Sequence, residues 1–99
     1  MAFKLIWSPS AKFDLKDIAT FIAEDSATAA ERVIRRLFQA LERLADFPES
    51  GRIVPEFGDP VIREVILKPW RIVYRVDAGR SIVEIARVWH AARGIPDIE

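Results

Sequence analysis

Ninety-nine residues, 51% of them hydrophobic and 30% charged, with four glycines, describe one ordered globular domain rather than a disordered, fibrous or multi-domain chain. The absence of cysteine excludes disulfides and thiolate metal sites. Fifteen basic residues against fifteen acidic ones, with a pI near 6.6, lack the basic excess that nucleic-acid-binding proteins use to displace counterions. Any cationic surface must therefore be local, and near-neutrality suits a subunit that is covered by a partner. The opening MAFKLIW is too short for a signal sequence, and no run approaches the roughly 20 apolar residues needed to span a bilayer, so a cytoplasmic protein with no membrane association is expected.

In chain order, Phe3 to Trp7 is a short apolar run that predicts a first strand. Ser8-Pro9 follows, a side chain able to cap a helix and a residue that fits the first helical position. Ala11, Leu15, Ile18 and Ile22 recur at helical steps up to about Glu24, giving an amphipathic helix. After the polar break Glu24-Asp25-Ser26, Thr28 and Glu31 stand at capping-box spacing and predict the start of a second helix. Its stripe of Ala30, Val33, Ile34, Leu37, Phe38, Leu41, Leu44 and Ala45 is wide enough to pack on both the first helix and a sheet. So short a connection makes the pair an antiparallel αα-hairpin, and Phe47-Pro48 ends it. Residues 48–60 carry three prolines and two glycines and predict one long surface loop.

Three strands are expected next: Ile62 to Leu67, Trp70 to Val76 and Ile82 to His90, separated by Lys68-Pro69 and by the turn Asp77-Ala78-Gly79-Arg80. In the middle one, Trp70, Ile72, Tyr74 and Val76 share the face expected beneath the helices, and Arg71, Val73 and Arg75 share a face expected to stay open. In the last one, Ile82, Ala86 and Val88 fall on one side and Val83, Ile85, Arg87 and Trp89 on the other, as in a strand buried on both faces. Residues 93–99 read as a tail that orders on binding. The prediction is an α+β single domain over residues 1–99, β-α-α-β-β-β, a small and largely antiparallel sheet with an αα-hairpin packed on one face.

The chemistry-bearing residues are the arginines Arg63, Arg71, Arg75 and Arg87 and the chain's one histidine, His90. Guanidinium forks bind phosphates or carboxylates bidentately, while Glu64 and Glu84 are available as cross-strand partners that would neutralise them. The ordinary pKa of histidine suits His90 to proton transfer. The simpler role is a strand-end cap that bonds a carbonyl or a carboxylate such as Glu64. Trp70, Trp89 and Tyr74 can stack on bases, but Trp70 and Tyr74 alternate with core residues and packing explains them. One histidine without cysteine makes no metal constellation, and no cofactor is expected.

The element order, together with Trp7-Ser8-Pro9, Ala11, Asp14-Leu15, Leu44 to Arg52, Ile62-Arg63-Glu64, WRIVYRV and RVWHAAR, resembles the RelE/ParE superfamily of toxins from bacterial type II toxin–antitoxin modules. The resemblance covers nearly the whole chain. It implies growth arrest, plasmid stabilization, and a tightly bound cognate antitoxin, ParD-like or similar, through which alone the toxin meets operator DNA. RelE-like members cut messenger RNA on the ribosome; there Arg71 would hold phosphate and His90 would move a proton, making these the two catalytic candidates. ParE-like members poison DNA gyrase without cleaving nucleic acid, and an inactive member kept for complex formation is the further alternative. The single histidine, the lack of a lysine patch and the zero net charge favour the ParE-like branch. On that reading Arg71 and Arg75, then Arg63 and Arg87, are the residues expected to bind the antitoxin.

Overall fold

The computed structural model describes residues 2–94 and 97–98; Met1, Ile95, Pro96 and Glu99, the last three in the expected tail, lie outside the described residues. Strand β1 (Lys4–Trp7) leads into helix α1 (Pro9–Ala23), with Ser8 extended at the junction and its Oγ accepting from the Ala11 N–H at 3.0 Å. This is the expected Ser-Pro start, in which side chain and proline answer the unpaired N–H groups of the first turn. Helix α2 (Ala27–Asp46) begins earlier than the Thr28–Glu31 spacing predicts. Its cap is Ser26, extended and accepting from the Ala29 N–H at 3.1 Å. The chain leaves α1 already turned, so the nearest hydroxyl takes the capping position and Thr28 and Glu31 fall inside the helix.

Strands β2 (Arg52–Ile53), β3 (Ile62–Leu67), β4 (Trp70–Asp77) and β5 (Ile82–His90) follow, and a 3-10 turn (Ala91–Arg93) closes the order. The sheet runs β1-β5-β4-β3-β2, with β1 parallel to β5 and the remaining pairs antiparallel. The expected α+β architecture is present. One addition is β2, which lies inside the segment read as a single loop. Two residues are too few to show alternation; Arg52 and Ile53 become a strand because Glu64 and Arg63 stand opposite them.

The helices cover one face. Leu37, Leu41 and Leu44 of α2 and Ala11 and Ile18 of α1 meet Ile72, Tyr74, Val83, Ile85 and Val88 in the main core. Trp70 and Val76 pack against it as the alternation predicts. On β5 the predicted faces hold only up to Ile85. Val73 pairs with Arg87 and Tyr74 with Ile85, so Ala86 is the extra residue of a β-bulge. Beyond it the parity reverses, and Val88 joins the helix-side core while Ala86 stays on the far side. The bulge is held by Ser8, whose hydroxyl donates to the Ala86 carbonyl at 2.8 Å and whose N–H donates to that of Ile85 at 2.9 Å.

The far face, expected to stay open, instead carries a second small core of Val54, Val73, Ala86 and Ile98, with Ile62 beside it. Val54 comes from the loop after β2 and Ile98 from the tail, so the described part of the tail is placed against the sheet in the isolated chain. Neither segment shows a period, and so neither announces its burial in the sequence.

Candidate functional site

Strand alternation places Arg71, Val73 and Arg75 on the far face of β4, and the bulge turns Arg87 toward the same side, where it stands opposite Val73. These three predicted arginines are brought together. Arg63 is not. It pairs with Tyr74 in the ladder and so faces the helix side, where its guanidinium donates to the carbonyls of Pro60 (2.9 Å), Gly51 (3.0 Å) and Glu49 (3.3 Å). Arg63 thereby folds the loop around Gly51. There the Tyr74 hydroxyl accepts from the Gly51 N–H at 3.0 Å and donates to the Pro48 carbonyl at 2.8 Å. Burial raises the Tyr74 pKa above its ordinary value.

On the far face Arg71, Arg75 and Arg87 are each matched by a carboxylate. Arg71 is 7% exposed and Glu64 only 1%, and the Arg71 Nε donates to Glu64 at 2.6 Å. Its two terminal nitrogens grip both carboxylate oxygens of Glu56 at 2.8 and 2.7 Å. Glu56 arrives on the turn after Val54, where the N–H groups of Phe57 and Gly58 return to the Val54 carbonyl and Gly58 takes a positive φ of 64°. The Arg71 bond is the largest cause that lowers the Glu56 pKa to about 2, and the two carboxylates push that of Arg71 higher still. Arg52 closes the cluster on the outer oxygen of Glu64 at 2.7 Å.

Arg75 donates to Glu84 at 3.0 Å, the cross-strand partner proposed from sequence. Arg87 forms a two-point pair with Asp14 of α1 at 2.7 and 2.9 Å, and the Val88 N–H adds a third bond to the same carboxylate at 3.0 Å. That pair raises the Arg87 pKa. Thus Arg52, Arg71, Arg75 and Arg87 face Glu56, Glu64, Glu84 and Asp14, four positive charges against four negative ones. Glu56 and Asp14 are the partners that strand reasoning misses, because one sits on an aperiodic loop and the other on a helix 73 positions away from Arg87.

His90 ends β5, and its Nδ1 accepts from the Ala92 N–H at 3.1 Å, capping the 3-10 turn. The ring proton of the neutral imidazole is therefore on Nε2. The ring stands edge-on to Trp70, with centroids 5.2 Å apart. It caps the strand end, but by accepting from an amide N–H rather than by bonding the carbonyl or carboxylate expected of it, and Glu64 lies on the opposite face. His90 and Arg71 are consequently on different faces of the sheet. His90 lines a cleft of about 370 Å³ with Asp14, Asp17, Phe21, Trp70 and Arg93. Trp89 is held between the guanidiniums of Arg87 and Arg93, at 4.5 and 4.3 Å from its ring centre. Among the described residues no group of His, Asp and Glu side chains has metal-site geometry, and no helix is long and apolar enough to cross a membrane.

The family model for the ParE toxin of type II toxin–antitoxin systems matches residues 5–95. The chain belongs to the ParE toxin family. Toxin RelE2 of Caulobacter vibrioides is 37% identical over 91 residues, which span 91% of this chain and 97% of that protein. A chain of the chromosomal ParDE toxin–antitoxin system from P. aeruginosa has the same fold, with a TM-score of 0.72 at 20% identity over 90% of this chain and 96% of that one. A chain of the toxin–antitoxin complex RelBE2 from Mycobacterium tuberculosis follows at a TM-score of 0.67 and 18% identity, over 91% and 99% of the two chains. This ParE-family toxin therefore carries the RelE/ParE fold with an internally neutralised arginine face.

Proposed function

We propose that this toxin arrests growth by binding DNA gyrase, as a protein–protein inhibitor without an active site, and that a cognate antitoxin silences it in the cytoplasm. The observation that carries the reading is the charge balance of the arginine face. A nuclease needs a guanidinium free to hold the scissile phosphate and a nearby group to move the proton. Here all three nitrogens of Arg71 are engaged by Glu56 and Glu64, and His90 is on the other face of the sheet with Nδ1 committed to the backbone. A phosphate approaching Arg71 would have to displace two carboxylates from a buried guanidinium.

The antitoxin reading is supported by apolar surface. Phe13, Phe21 and Phe47 are each 65–70% exposed, and a groove of about 760 Å³ runs between α1 and α2 over Ala19, Ala23, Ala30, Ile34 and Phe38. We take this groove as the surface that the antitoxin covers. Arg75, Arg87 and, through the loop it organises, Arg63 are the proposed charged contacts, with Arg71 setting the floor beneath them. Operator DNA is met only through the antitoxin.

The test is a supercoiling assay with purified gyrase beside a cell-free translation assay, each with the parent protein and with His90→Gln. Gyrase inhibition by both proteins, with translation untouched, is the expected result. Translation arrest with cleaved messenger RNA, reduced about 10² to 10⁴-fold by His90→Gln, would replace the gyrase reading with the ribosomal nuclease.

A further inference from the structure

On the helix side, the flank of α1 and the neighbouring ends of β4 and β5 leave a cleft of about 370 Å³ in which the arginine face takes no part. Ile18 and Val88, 8% and 3% exposed, form its floor. Phe21 and Trp70, with His90 edge-on to Trp70 at 5.2 Å between ring centres, form aromatic walls. Two carboxylates line it. That of Asp14 is taken, bound at both oxygens by Arg87 and again by the Val88 N–H. That of Asp17 makes no hydrogen bond and no ion pair with the described residues. Arg93 also lines the cleft, but its guanidinium lies over the ring of Trp89, which faces the other side of the sheet. We propose that this cleft receives the basic side chain, arginine or lysine, of a protein partner.

An unpaired carboxylate beside aromatic rings and an apolar floor is complementary to a cation on an apolar stem. The carboxylate accepts a charge-assisted hydrogen bond, the rings attract the cation through their quadrupoles, and the methylene stem packs along Ile18 and Val88. An anionic ligand would meet the Asp17 carboxylate instead. That the cation is carried by a protein follows from the rim. Phe13 and Phe21 stand about one helical turn before and after Asp17 and are 69% and 70% exposed. Two such rings exclude water from the ion pair once a protein surface closes over them, as the contacts around an interface hot spot do; a free amine would leave them wet. Neither ring lines the groove assigned to the antitoxin. Ala19 and Ala23 of that groove and Asp17 and Phe21 of this cleft project from opposite flanks of α1. A chain seated in the groove thus leaves the cleft accessible to a second partner. The inference stands whether or not that partner is gyrase.

The probe is a short acetylated and amidated peptide with one arginine between two leucines, titrated into the isotope-labelled full chain and followed by NMR. Saturable shifts are expected at the amides of Asp17, Phe21 and Val88 and at the Trp70 indole. Citrulline in place of the probe's arginine keeps the shape and removes the charge, and should weaken binding at least about fivefold, as should Asp17→Asn. Phe21→Ala should weaken it about two- to fivefold. Asp17 and Phe21 are exposed, so neither change removes core packing, and cooperative urea unfolding checks that both variants are folded. Glycines in place of the probe's leucines should weaken binding by about the same factor as Phe21→Ala. Equal affinity of the leucine and glycine probes would assign the cleft to a free amine and overturn the protein partner. No saturable shift at about 5 mM probe, shifts confined to the groove between the helices, or indifference to citrulline or to Asp17→Asn would overturn the site itself.

Discussion

Replacing Glu64 by glutamine probes the arrangement that most distinguishes this arginine face. Glu64 is fully buried as a side chain and bridges Arg71, 8% exposed, to Arg52, 58% exposed. Removing one partner of a buried ion pair typically costs about 3–5 kcal/mol, because the other charge is left without compensation in a medium that solvates it poorly. Arg71 keeps Glu56, and the new amide oxygen still accepts one bond, so a loss of about 3 kcal/mol is expected for Glu64→Gln. In a domain of this size that corresponds to a fall of about 12–24 °C in Tm. The double variant Glu64→Leu/Arg71→Met removes both buried charges and leaves Arg52 and Glu56 free to hydrate. Its stability should return to within about 1 kcal/mol of the parent, since apolar replacement of a buried pair is commonly neutral or better. Urea denaturation with unchanged m-values is the assay. A cost below about 1 kcal/mol for Glu64→Gln, or a double variant as unstable as the sum of its singles, would refute a locked Arg71 and restore it as a phosphate ligand.

Two further outcomes are expected. The folded-state pKa of Glu56, about 2, lies below its unfolded value of 4.5, so the unfolded chain binds more protons between them and stability from this group falls as pH drops from about 4.5 to about 2; solvent screening of the partly exposed carboxylate reduces this to about 1 kcal/mol, seen as the difference between parent and Glu56→Gln in urea unfolding at pH 5.5 and pH 2. A Cβ at Gly51 would stand 2.5 Å from the Tyr74 hydroxyl and 2.6 Å from the Glu64 carbonyl, so Gly51→Ala should cost about 2–3 kcal/mol by overpacking and disrupted hydrogen bonding, and a change under about 0.5 kcal/mol in the same assay would contradict that packing.

The order of the elements apart from β2, the helical hairpin, the Ser8-Pro9 junction and the buried face of β4 were legible in the sequence, because each rests on a period of two or of about 3.6 or on a local cap. The same alternation placed Arg71 and Arg75 on one face, and the motif run carried the family. What the sequence left open is decided by groups that come together only in the folded chain. No period marks Val54, Glu56 or Ile98, yet they roof the arginine face and remove Arg71 from solvent. The Ala86 bulge shifts parity by one residue, so strict alternation assigns Val88 to the wrong side. Whether an arginine is a free cation or half of a neutral pair depends on a carboxylate's position in space. Asp14 reaches Arg87 across 73 positions only because β1 and α1 return the chain to β5, and that long-range charge pairing turns a ladder of arginines into a neutral surface.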